Sequence, residues 1–179
     1  MPRKADPKLE KTIVTAAMRL LDKRGLDAIT MREVAKAAGT TTPTLYERFN
    51  DRDALLIGVL DRVAYDLFDR MQSTRSIEAL CEVFLEYCVN YPNRLDLLHK
   101  VWPQTIPTNR KRPTYDLAVG RLQSEHGHSL KKANEIASAI IAVLMGTAIL
   151  MIGAGPDTAF ATNSRRTGLK AIKAICKAM

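Results

Sequence analysis

Apolar residues recur three and four positions apart along almost the whole chain, and period-two alternation between turn signals is absent, so the pattern predicts an all-α protein. The first helix runs from about Pro7 to Lys23 with Ile13, Ala16, Ala17, Leu20 and Leu21 on one face, and Gly25 ends it. Thr30 caps a second, short helix whose apolar side is Met31, Val34, Ala35 and Ala38, with Glu33 placed to complete a capping box and Gly39 as the stop. Thr40-Thr41-Thr42-Pro43 starts a third helix leading into Leu45 and Phe49, and Asn50-Asp51 caps a fourth that reaches about Met71.

Ser73 to Ser76 reads as a boundary. Beyond it the pattern predicts helices from Ile77 to Asn90, closed by Pro92, and from about Leu95 to Val101, closed by Pro103. Residues 104–113 read as an irregular loop. Three more helices follow: about Thr114 to His126, Ser129 to about Ile152, and Asp157 to the terminus.

A two-turn helix, a glycine turn and a second short helix are the parts of a helix-turn-helix, whose second helix enters the major groove of DNA. Ala35 is small where the two helices must approach closely. Leu45 and Phe49, at i and i+4, take the core and leave Thr42, Thr44, Tyr46 and Arg48 to project elsewhere. The stretch from Ile13 through Thr30-Met31-Arg32-Glu33-Val34-Ala35 to Thr44-Leu45-Tyr46-Glu47-Arg48-Phe49 and Asp51-Arg52-Asp53-Ala54-Leu55-Leu56 resembles the DNA-binding domain of the TetR family of transcriptional regulators. That resemblance covers about the first third of the chain.

It implies a three-helix DNA-binding domain over residues 1–50 and a helical effector-binding and dimerisation domain over residues 51–179. The implied function is that of a ligand-responsive repressor, without cofactor or enzyme activity, that binds a near-palindromic operator as a homodimer. By the same resemblance Thr30 and Tyr46 contact phosphates, Thr42, Pro43 and Thr44 face bases, and Arg52 meets a further phosphate. One departure stands out: Thr40-Thr41-Thr42-Pro43-Thr44 contains no Arg, Lys, Asn or Gln for a bidentate base contact, so readout is sparse or assisted by Arg32, Lys36 and Arg48. Each of these polar residues also fits a solvated helix face or a simple cap. Arg3, Lys4, Lys8 and Lys11 suit a basic arm on the DNA backbone or a merely solvated terminus, with Asp6 and Glu10 diluting the charge.

Composition changes this picture little. The 179 residues suffice for one substantial domain or two small ones, and 27 basic against 19 acidic side chains leave a net charge of +8 that suits an anionic partner. Cys81, Cys88 and Cys176 have no metal-ligand spacing, and read as buried thiols. No apolar stretch opens the chain, which makes a cytoplasmic location the default. Candidates for catalysis are thin: His126 and His128 flank a glycine beside Glu125, and no phosphate-binding glycine loop, metal-binding helix or nucleophile elbow occurs, so no enzyme is expected.

From Ile136 to Gly155 no residue is charged, a length that could just span a bilayer, and a membrane-associated helical protein is one alternative reading. Small residues fill half of that run, which fits a helix buried at a subunit interface better, with Ala139, Ala142 and Gly146 permitting close approach of a neighbouring helix or packing within the chain. Phe84, Tyr87, Trp102, Tyr115 and Met145 are the candidates for an effector pocket, or for plain core. A DNA-binding protein without an effector, whose C-terminal part serves only assembly, is the other alternative.

Overall fold

The computed structural model describes residues 7–106, 108 and 110–178, and among these it contains α-helices and one short 3-10 turn, with no strand. Arg3 and Lys4 of the basic arm lie outside the described residues. The chain divides into two compact units, one formed by residues 1–63 with 96–110 and the other by residues 64–95 with 111–179.

In the first unit, α1 (Pro7–Arg24), the 3-10 turn Leu26–Ala28, α2 (Met31–Ala37), α3 (Thr42–Tyr46) and the first part of α4 (Arg52–Met71) close over Ile13, Ala17, Leu21, Ile29, Val34 and Leu45. All but Ile29 are positions that three- and four-residue spacing marks as apolar faces, and burying the larger aliphatic side chains among them contributes about 1.5–3 kcal/mol each. Gly58 of α4 makes room for Phe49: a Cβ there would meet the Phe49 ring at 3.1 Å and Val14 at 3.6 Å.

α5 (Ile77–Asn90), α7 (Pro113–His126), α8 (Leu130–Ala154) and α9 (Ala159–Ala178) build the second unit. Its core takes Ile77, Leu85, Leu122, Ile136, Ile140 and Ala148 among others. α8 is the one described helix long and apolar enough to cross a membrane, with mean hydropathy 2.4, yet eight of its residues, Ile136, Leu144 and Met151 among them, are buried in this unit. Ser76 and Ser129 cap α5 and α8, accepting from the backbone N–H of Ala79 and Lys132 at 3.1 and 3.3 Å.

α6 (Pro92–Thr105) departs from the sequence expectation. Pro92 opens this helix, where a proline's missing N–H costs nothing, and Pro103 sits inside its last turn, where only the bond to the His99 carbonyl is forgone. The helix therefore runs past both expected ends, and its tail is secured by the Thr105 hydroxyl donating to Trp102 O at 2.7 Å.

All three cysteines are free and buried. Burial pushes the Cys81 and Cys88 thiols up to about 12, and Cys176 also up, from an ordinary value of 9.0. Because the folded values are raised, the stability these neutral thiols contribute is complete below about pH 9 and is lost as pH rises towards 12. A thiol-reactive dye at pH 8 should accordingly label none of the three in the native protein and all three after denaturation; rapid native labelling would contradict the packing.

Candidate nucleic-acid interface

The geometry of the first unit begins with its caps. The Thr30 hydroxyl accepts from Glu33 N at 3.2 Å and starts α2. The capping box is only half made, because the Thr30 N–H is already given to Ala28 O at 3.1 Å and the Glu33 carboxylate turns to Arg24 at 3.0 Å. At the other end Thr40 N donates to Ala35 O at 3.0 Å and Gly39 N to Lys36 O at 3.3 Å, the two bonds of a Schellman motif. Its turn residue must be left-handed, and Gly39 has φ +67.

Thr41 then caps α3, its hydroxyl accepting from Thr44 N at 3.3 Å and lying 2.9 Å from the Thr44 hydroxyl. Leu45 is completely buried and pins the five-residue helix to the unit. That anchoring leaves Thr41 and Pro43 exposed, Thr42 and Thr44 half-buried, and Tyr46 51% exposed. Thr30, Arg32 and Lys36 are exposed on or beside α2. Arg48 is half-buried, with its Nε enclosed and without a hydrogen-bond partner among the described residues. Glu47, at the end of α3, is also exposed.

Arg52 has a job inside the fold. Its Nε donates to Ile29 O at 2.6 Å and one terminal nitrogen to Leu26 O at 3.1 Å, fastening the start of α4 to the loop ahead of α2. Asp51 caps α4 beside it, accepting from Ala54 N at 2.7 Å. The role of Arg52 as an anchor was not apparent from the chain, since its partners are carbonyls 23 and 26 residues away.

Two short helices set rigidly across a glycine turn, with polar side chains outward from the second, form a helix-turn-helix. Residues 13–59 match the family model described as bacterial regulatory proteins, tetR family. The chain carries the N-terminal domain of the TetR family. Two relatives are similar over part of the chain: the uncharacterized HTH-type transcriptional regulator YvdT of Bacillus subtilis, 29% identical over 72 residues, and the HTH-type transcriptional regulator HbdR of Aromatoleum, 29% identical over 92 residues. Those matches span 40% and 46% of this chain, and 37% and 40% of the relatives' own lengths. The whole chain shares its fold with a TetR variant from Acinetobacter baumannii crystallised with minocycline, at TM-score 0.71 and 18% identity, over 98% of this chain and 96% of that one.

The expected pocket residues differ in burial and in the unit to which they belong. Phe84, Tyr115 and Met145 are half-buried against the core, and the Tyr115 hydroxyl donates to Asn134 Oδ1 at 2.9 Å. Trp102 is half-buried and belongs to the first unit. Tyr87 is buried, its hydroxyl donating to Asp66 at 3.1 Å and accepting from Arg94 at 2.6 Å, while Arg94 is paired to Asp66 at 2.6 Å. Burial pushes the Tyr87 phenol up, which keeps it a donor. Arg94 is 6% exposed and stacks on the Tyr91 ring at 3.9 Å, an arrangement that sequence spacing did not signal.

Ala142 and Gly146 are exposed on α8 and Ala139 is half-buried. A Cβ at Gly146 would meet nothing within 4 Å, so Gly146 serves no close contact inside the described chain. That part falls to Gly168 of α9, where a Cβ would overlap the Thr147 hydroxyl and come within 3.0 Å of its methyl.

Proposed function

We propose that this chain is a DNA-binding transcriptional repressor that engages a near-palindromic operator as a homodimer and is released by a small-molecule effector, working in the cytoplasm. The observation that carries the reading is a capped helix-turn-helix in which Val34, Ala35 and Leu45 are buried while Thr30, Pro43 and Tyr46 are exposed and Thr42 and Thr44 half-buried. On this reading Thr30 and Tyr46 bind phosphates, Thr42 to Thr44 face base edges and Arg48 adds positive charge. Arg52 holds α4 to the DNA-facing loop, and its charge remains available to the phosphate field.

The α8 face around Ala142, Gly146, Ile149 and Leu150 is exposed and uncharged, and Ile149 and Leu150 are 47% and 50% exposed. It supports α8 as the seam of the dimer. Phe84, Tyr115 and Met145, half-buried beside the core of the second unit, support effector binding there, as does minocycline in the Acinetobacter structure.

Selection of duplexes from a random pool with the full chain should return inverted half-sites about one helical turn apart or slightly more. Sites without inverted symmetry would sink the dimer reading. Tyr46→Phe should then weaken binding to all duplexes by about fivefold, the worth of one hydrogen bond, while Thr44→Ala alters sequence preference.

A further inference from the structure

We propose that α3 reads its operator through the methyl groups of thymine, so that the half-site positions it faces are A·T pairs and the thymine 5-methyl is the principal base determinant. The proposal rests on the DNA-binding reading above and names what that surface recognises.

Three observations lead to it. The residues from Thr40 to Tyr46 include no guanidinium, ammonium or carboxamide, the groups that grip guanine O6 and N7 or adenine N6 and N7 in bidentate fashion. The hydroxyls of Thr41 and Thr44 are turned to each other at 2.9 Å, and Thr41 also accepts from Thr44 N, so both oxygens are engaged at the helix start. Thr41 and Pro43 are exposed and Thr42 and Thr44 half-buried, so the side chains accessible at the start of α3 offer threonine methyls and a proline ring alongside single hydroxyls. Glu47, exposed beyond Tyr46, carries a carboxylate that can serve cytosine or adenine amino groups, not guanine O6.

The major groove offers one apolar group, the thymine methyl. A guanine facing this surface would lose hydration at O6 and N7 and gain at most a single hydroxyl bond in place of a bidentate grip, whereas a thymine methyl against threonine or proline loses nothing polar. Burying one methyl changes affinity by about fourfold, against roughly five- to 150-fold for a good bidentate contact. Discrimination at each position is therefore shallow, and specificity accumulates over several thymines and both half-sites.

The test begins from the duplex selected by the full chain. Thymine is replaced by deoxyuridine, which removes only the methyl, one half-site position at a time and then symmetrically in both. Fluorescence anisotropy should show about fourfold weaker binding for a single effective methyl and about fifteenfold for the symmetric pair. A Thr42→Ser, Thr44→Ser variant keeps the hydroxyls and the cap, and for it the same replacement should change affinity by less than about twofold. A wild-type chain indifferent to every thymine-to-deoxyuridine change, or a selected half-site led by guanine, overturns the proposal and leaves DNA binding intact. If no duplex is enriched over random DNA, the DNA-binding reading itself fails.

Discussion

Arg94→Met should destabilise the second unit by about 3 kcal/mol, roughly a 1.5 M fall in the urea midpoint of its helical signal. Arg94 is nearly buried, and its guanidinium bridges Asp66 of α4 to the Tyr87 hydroxyl of α5 while lying on the Tyr91 ring. Methionine replaces the side chain as far as Nε and lacks the guanidinium, so the loss reads its pairing with Asp66 and Tyr87 and its stacking on Tyr91 together. Asp66 then retains the Tyr87 hydroxyl and the longer 3.8 Å approach of Arg70, a side chain 46% exposed and worth little by comparison. Circular dichroism follows the change; a midpoint within experimental error of wild type would show that the pair contributes orientation rather than stability.

Two glycines on neighbouring helices should respond in opposite ways. Gly168→Ala forces a methyl into Thr147, whose Cβ stands only 3.2 Å from the new atom, so the crossing of α8 and α9 must open. Overpacking costs about 1–3 kcal/mol and outweighs the gain of up to about 1 kcal/mol from better helix propensity, leaving a less stable chain. At exposed Gly146 a Cβ meets nothing within 4 Å, so Gly146→Leu gains the propensity term and its helix strengthens. If the exposed α8 face is the dimer seam, that leucine enters the interface twice and weakens dimerisation on the order of thirtyfold. Operator affinity then falls, because the two recognition helices lose their effective concentration for each other. Sedimentation decides: a fully dimeric Gly146→Leu with unchanged operator affinity places the seam elsewhere.

The parts of the site legible in the chain were those made by contacts three or four residues apart. Thr30 as a cap, a threonine cap before Pro43, Gly39 as the turn, Asp51 at the start of α4 and Ser129 at the start of α8 all bond to backbone within one turn, and each stands in the structure as its residue type requires. The dual use of Arg52 was not legible, since an arginine at a helix start serves a phosphate and a carbonyl equally well by pattern. The length of α6 escaped because a proline reads as a stop whether it opens a helix, as Pro92 does, or tightens its final turn, as Pro103 does.

Sequence by itself determined the all-helical class, the order of the helices, the buried faces of α1 and α2 and the poverty of α3 in base-gripping side chains. Each of these follows from periodicity, capping chemistry or composition, which act within a turn or two of helix. Tertiary structure decided which arginines are spent inside the fold, which glycine lies under another helix and which stays open, and how far Tyr87 is removed from solvent. Those outcomes hang on partners 21 to 28 residues away or on another helix altogether, where the energy comes from burial and pairing that exist only once the elements have met.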